Sequence, residues 1–136
     1  MKPIHCLLGV VTLCSPLHSA SMRFLAWNDQ VAEQGYAFAH GKERTEIGYL
    51  HPSARSKPFE VPEGAEDLRL ELLGKQNAEG QPMALPLKAR SGVDNALVLL
   101  LPDPKSPAGL RVMILDDSLS SFKWGSIRFI NATPKD

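Results

Sequence analysis

Residues 68–72 read Leu-Arg-Leu-Glu-Leu, so leucine alternates with a charged residue. Side chains of a β-strand point to the two faces of a sheet in turn, so this stretch predicts a strand with one face in a core and one in solvent. Residues 83–89 alternate in the same way. Pro86 within them cannot donate a ladder hydrogen bond, which predicts that this strand lies at a sheet edge.

Two later runs are apolar on both faces. Residues 96–101 are all apolar, and the run 110–115 is interrupted only by Arg111. Runs this short, bounded by turn residues, favour strands buried on both sides over helices. We predict that both are central strands, joined by the proline-rich loop 102–109.

The rest of the chain shows short strands separated by turn residues. One helix is predicted around residues 29–34, capped by Asn28. Further strands are predicted at 23–27, 36–40, 45–50, 57–61 and 127–130. This series of short strands predicts an all-β fold, namely an antiparallel β-sandwich of immunoglobulin-like architecture without a disulfide. A small β-barrel is the alternative, because its sequence pattern is similar.

The N-terminal segment has the layout of a secretory signal peptide. Lys2 precedes a short apolar run, and small residues follow at 19–21. We predict that residues 1–21 are a signal peptide, that residues 22–136 form a single β-sandwich domain, and that the protein is exported to the periplasm or the cell exterior. A buried N-terminal strand, or a start at Met22, is the alternative. Cys6 and Cys14 lie in this segment, so the predicted domain has no thiol for a disulfide or a metal site.

The charge balance and the hydropathy pattern argue against two classes of partner. The chain has 15 basic and 15 acidic residues, a net charge of zero, and no clustered basic patch that would favour nucleic acid. Its apolar runs are shorter than the roughly 20 residues that a membrane-spanning helix needs. We therefore expect no nucleic-acid partner and no membrane span.

The sequence contains a candidate metal site at Asp116 and Asp117 and no catalytic motif. It lacks a G-x-S-x-G elbow, a P-loop and an H-E-x-x-H motif. Asp116 and Asp117 follow an apolar strand and could offer oxygen ligands to calcium, although an Asx-turn explains the same residues. We expect no cofactor and no enzymatic activity. A small hydrolase or an enzyme subunit stays open as an alternative, because carboxylates distant in sequence can converge.

Aromatic side chains give a second candidate site. Trp124, Trp27 and Tyr49 could bind a glycan, because exported β-sandwiches often hold sugars against exposed aromatic rings. Core packing is the alternative for each ring. Trp124 lies between Lys123 and Gly125, and we expect it to be more exposed than Trp27.

A distinctive motif lies near the C-terminus. Residues 122–133 read Phe-Lys-Trp-Gly-Ser-Ile-Arg-Phe-Ile-Asn-Ala-Thr. The sequence resembles small exported bacterial all-β proteins of unknown function whose last strand reads F-x-W-G-S-x-R-F-x-N-x-T. The resemblance implies a small all-β domain in the cell envelope and implies no activity.

The residue types in this motif predict a structural role. Gly125 permits a backbone conformation or a close approach that a side chain would block. Ser126 and Asn131 can hydrogen-bond to loop backbone. Phe122 and Phe129 are predicted to fill one end of the core.

These observations favour an exported, non-enzymatic β-sandwich that is a protein-interaction or structural module of the bacterial cell envelope. It would dock on another envelope protein through a sheet edge or a loop face. A glycan-binding module is the alternative.

Overall fold

A computed structural model of the chain describes residues 20–89, 91–121 and 123–133. Most of the predicted signal peptide, with Cys6 and Cys14, lies outside these residues, and so does Phe122. The elements are β1 (Ala20–Ala26), α1 (Asp29–Ala32), β2 (Tyr36–His40), β3 (Glu43–Gly48), β4 (Phe59–Val61), β5 (Arg69–Gln76), β6 (Pro82–Pro86), β7 (Asn95–Pro102) and β8 (Leu110–Asp116).

The strands form two separate four-stranded sheets. Sheet I has the order β4-β1-β7-β8, and sheet II has the order β3-β2-β5-β6. Every pairing among the described strands is antiparallel except that of β1 with β7, which is parallel. The prediction of an all-β sandwich is confirmed, and the two distinct sheets exclude the barrel alternative for the described residues.

The core lies between the inner faces of the two sheets. The rings of Phe24 and Phe59 from sheet I and Phe38 from sheet II meet there, with centroids 5.7 to 6.1 Å apart. Leu70 and Leu72 pack in the same cluster from β5, as the alternation at 68–72 predicts. Large side chains at alternate positions of the paired strands therefore hold the sheets together.

The helix α1 and the edge strand β6 follow the sequence prediction. The Asn28 side chain accepts a hydrogen bond from the Val31 N–H at 2.9 Å, which caps α1. The β6 strand, which contains Pro86, lies at an edge of sheet II. Among the described residues, α1 is four residues long, and no helix is long and apolar enough to cross a membrane.

The strand β7 is central in sheet I, as predicted, but the prediction for residues 110–115 is wrong. They form β8, an edge strand, and within the described residues β8 pairs only with β7. Both faces of β8 are apolar although it is an edge strand, because the C-terminal part of the chain lies over the outer face of sheet I.

The predicted strand at 127–130 is also absent from the described structure. Residues 123–133, here called the C-terminal segment, contain a turn but no strand. Phe129 is 92% exposed, so the prediction that it fills one end of the core is wrong. The alternation in this stretch separates residues that face sheet I from residues that face solvent.

The predicted domain boundary falls within β1. Ala20 pairs with Val61 and Ser21 with Glu60, so the strand begins two residues before Met22. Cleavage before Met22 would shorten β1 at its N-terminal end, and the boundary stays a prediction.

Candidate docking surface

The outer face of sheet I is apolar. On β7, Leu97, Leu99 and Leu101 alternate with the core residues and are nevertheless buried. Leu25 of β1 and Leu115 of β8 lie beside them. A sheet with apolar side chains on both faces needs a second cover, because the core seals only one face.

The C-terminal segment supplies that cover. Ile130 lines a groove of about 220 Å³ with Leu25, Leu97 and Leu115. Ile130 and Ala132 also line a second groove with Trp27 and Leu101, of about 410 Å³. The segment therefore lies against the outer face of sheet I through alternate side chains.

Two arginines tie the C-terminal segment to β8. The Arg111 guanidinium donates to the Ala132 carbonyl oxygen. The Arg128 guanidinium donates to the Asp116 carbonyl oxygen at 2.6 Å. Because these bonds join side chains to backbone oxygens, the segment is held without a strand ladder.

The candidate metal ligands are engaged in structural bonds. The Asp116 carboxylate accepts from the Ser118 hydroxyl at 2.7 Å and from the Ser118 N–H at 2.9 Å, an Asx-turn. These bonds hold the pKa of Asp116 below its ordinary value. Asp117 forms an ion pair with Arg55 at 3.0 Å. Among the described residues there is no group of three or more His, Cys, Asp or Glu that could hold a metal ion.

The solvent side of this region exposes large apolar side chains. Leu119, Trp124, Ile127 and Phe129, here called the docking surface, are each between 79% and 102% exposed. Exposed apolar groups scattered singly are ordinary, whereas a contiguous apolar patch marks an interaction site, and these four side chains lie within eleven residues of one another along the chain. Sequence reasoning found Trp124 but assigned Ile127 and Phe129 to a strand, and it made no prediction for Leu119.

A tight turn presents Trp124. The Ser126 N–H donates to the Lys123 carbonyl oxygen at 3.0 Å, and Gly125 has φ +78°. A Cβ at Gly125 would have no heavy atom within 4 Å. Glycine is therefore favoured here by the positive φ and not by the close approach of another group. Farther along, the Asn131 side chain accepts from the Thr133 N–H at 3.0 Å and closes an Asx-turn.

The three aromatic candidates for glycan binding are all exposed but belong to different parts of the fold. Trp27 follows β1 and lines the groove with Ile130, Tyr49 follows β3 of sheet II, and Trp124 lies in the C-terminal segment. No ring contact joins any two of the three in the described part of the chain. The structure therefore does not assemble them into one stacking platform.

The outer face of sheet II has a contrasting, charged site. Glu71 is buried and accepts from Arg44 Nε at 2.7 Å and from Arg69 Nε at 3.1 Å. Burial raises the pKa of Glu71, but the hydrogen bonds and charges of the two arginines outweigh it and hold the pKa below its ordinary value. Arg69 also pairs with Asp67 at 2.6 Å, so the cluster balances its own charge.

Sequence reasoning placed Glu71 in solvent and missed this cluster. The register explains it, because Ala39 lies opposite Arg44 on one side and opposite Arg69 on the other. A small residue between two long ones lets both guanidinium groups reach the same carboxylate. Both arginines are engaged in this network, which indicates a structural role.

Comparison with known proteins does not assign the chain to a family. Neither the protein-family models, nor the curated proteins, nor the solved structures gave a match to this chain.

Proposed function

We propose that this chain is an exported, non-enzymatic β-sandwich that docks on another protein of the bacterial cell envelope through the docking surface. The observation that supports this most directly is the exposure of Leu119, Trp124, Ile127 and Phe129. Aromatic residues are enriched at protein interfaces and often dominate their binding energy. The partner would offer an apolar groove that receives these four side chains.

The size of the docking surface fits such a contact. Its four side chains offer on the order of 600 Å² of apolar surface. Each partner in a standard protein–protein interface contributes about 800 Å². Neighbouring polar residues of the turn would form the rim.

The perturbed titratable groups support a non-enzymatic role. Tyr36 is buried and donates to the Val31 carbonyl oxygen at 2.6 Å, and burial raises its pKa. Glu71 is held by two arginines, and Asp116 closes a turn. Burial accounts for the shift at Tyr36, and structural hydrogen bonds lower the pKa values of Glu71 and Asp116, whereas catalytic groups are held ready to react with a substrate. Export rests on the signal-peptide layout of residues 1–21.

Site-specific photo-cross-linking in the organism that produces the protein tests the docking. We expect a photoreactive phenylalanine at position 124 or 129 to form an adduct with one and the same envelope protein. The matched control is position 49, because Tyr49 is 78% exposed but lies outside the docking surface. Equal labelling from position 49, or adducts only with a second copy of this chain, would contradict the proposal.

A substitution in the docking surface tests whether formation of the adduct depends on its side chains. Phe129→Ser should lower the affinity for the partner by about tenfold, and with it the cross-linking yield from position 124, because an aromatic hot spot at an interface contributes more than about 1 kcal/mol. The stability of the free protein should change by less than about 0.5 kcal/mol, since the ring is in solvent. If Phe129→Ser lowers stability instead, the side chain is structural. If tryptophan fluorescence is quenched by a defined sugar and no adduct forms, the glycan-binding alternative is favoured.

A further inference from the structure

In the part of the chain that the structure describes, three of the four sheet edges are protected against pairing with another chain. The β3 edge carries Glu43, Arg44 and Glu46, and the β6 edge begins and ends with a proline. The β4 edge is only three residues long and lies between Pro58 and Pro62. Charges, prolines and short length are the usual means of blocking a free edge.

The β8 edge has none of these features. Its seven residues read Leu-Arg-Val-Met-Ile-Leu-Asp, with one internal charge and neither proline nor glycine. Among the described residues no strand pairs with its outer side. A long apolar edge of this kind is a template for adding a further strand.

The hydrogen bonds to β7 fix which backbone groups are free on β8. The Asp117 N–H donates to the Asn95 carbonyl oxygen at 2.8 Å, and the Asp103 N–H donates to the Gly109 carbonyl oxygen at 2.9 Å. In an antiparallel pair the bonded positions alternate, so Met113 turns its N–H and C=O toward β7. Val112 and Ile114 therefore turn theirs toward the open side. Arg128 takes the Asp116 carbonyl oxygen on that side. Val112 and Ile114 are each partly exposed.

We propose that this edge pairs with the same edge of a second copy, with β8 antiparallel to β8 about a two-fold axis at Met113. In this register Val112 of one copy lies opposite Ile114 of the other, and the two exchange backbone hydrogen bonds. Both side chains are only half-buried at the rim of the core, and pairing would bury them further. Two sheets of four strands would become one continuous sheet through the dimer.

The charges on β8 favour a second copy over an unrelated strand. Arg111 lies near one end of β8, and Asp116 and Asp117 lie at the other. An antiparallel pair about Met113 brings Arg111 of each copy diagonally beside Asp117 of the other. No like charges lie directly opposite each other, and such an arrangement avoids the repulsion that would block self-pairing.

Charge substitution at the two-fold axis tests both the partner and the register. Met113 would lie about 4.5 Å from its symmetry mate, Cα to Cα, because it occupies a non-hydrogen-bonded position. Met113→Lys and Met113→Glu should each weaken dimerisation by about tenfold or more, since like charges would then face each other. An equimolar mixture of the two variants should form a heterodimer. Sedimentation velocity on the chain in the form that the cell accumulates measures each case.

A matched variant guards against a general effect of added charge. Thr45→Lys places the same charge on the exposed β3 edge and should leave the dimer unchanged. Circular dichroism of the Met113 variants should show the wild-type strand content. The proposal is overturned if the wild-type chain stays monomeric across about a hundredfold range of concentration up to ~100 µM. It is also overturned if the single variants dimerise as well as the wild type, or if the mixture does not. This pairing is independent of the docking surface, so Phe129→Ser should leave it intact.

Discussion

Sheets I and II share one core between their inner faces, but their outer faces are covered in opposite ways. Sheet I carries buried leucines on its outer face and uses the C-terminal segment to cover them. On the outer face of sheet II, Ala37 and Ala39 are buried beside long charged side chains that include Glu71, Arg44 and Arg69. A sheet can therefore be completed either by a piece of chain or by its own charged side chains, and only the first leaves an apolar segment available to a partner.

The largest effect should come from the covered face of sheet I. Leu99→Ala should lower the free energy of unfolding by about 2–4 kcal/mol, which is the usual cost of emptying a sealed leucine site. Leu99 is 4% exposed although it lies outside the main core cluster. Denaturant unfolding measures the difference.

The matched control is Leu73→Ala on β5, where the leucine is partly exposed. Its cost should stay within about 1 kcal/mol, because little apolar surface is lost. A cost below about 1 kcal/mol for Leu99→Ala as well would mean that the C-terminal segment does not seal the outer face.

The charged face of sheet II should give a smaller effect that depends on pH. Glu71→Gln should cost about 1–2 kcal/mol near neutral pH, because it leaves two arginines without their shared carboxylate while Arg44 stays partly hydrated. The pKa of Glu71 in the folded state lies below its ordinary value of 4.5. Its contribution to stability is therefore complete above pH 4.5 and is lost as the pH falls through the folded value.

Unfolding of both proteins across this pH range provides the measurement. The difference in free energy of unfolding between wild type and Glu71→Gln should be constant above the ordinary pKa of Glu71 and should narrow toward lower pH. Glu60→Gln is the control for the loss of a surface carboxylate, because Glu60 is exposed on β4, and it should cost little stability. A gap that widens in acid would mean that the arginines do not favour the charged form of Glu71.

Local patterns predicted most of the fold. Alternation predicted β5 and β6, and Asn28 predicted the cap of α1, because these signals depend only on neighbours in the sequence. The prediction that residues 110–115 form a central strand was wrong, because a strand that is apolar on both faces can be either a central strand or an edge strand whose outer face is covered. Only the path of the C-terminal segment distinguishes the two.

The sites required contacts between residues far apart in the sequence. Arg44 and Glu71 are 27 positions apart, and only the register of β2 with its two neighbours brings them together. Ile127 and Phe129 alternate as strand residues do, and the same alternation suits a segment lying on a sheet. Its solvent side was therefore mistaken for the core side.

The smallest effect should come from the turn that presents Trp124. Gly125→Val should cost about 1 kcal/mol, or roughly 3–6 °C in Tm, because a side chain at φ +78° is strained. A Cβ there meets no heavy atom within 4 Å, so the cost is conformational and not steric. Gly125→Asn should therefore lose less than half as much, since asparagine tolerates this region better than valine. Equal losses in a thermal scan would point to a contact made by the turn. No loss from Gly125→Val would mean that the turn is uncoupled from global unfolding, and the cover on sheet I would then begin only beyond Gly125.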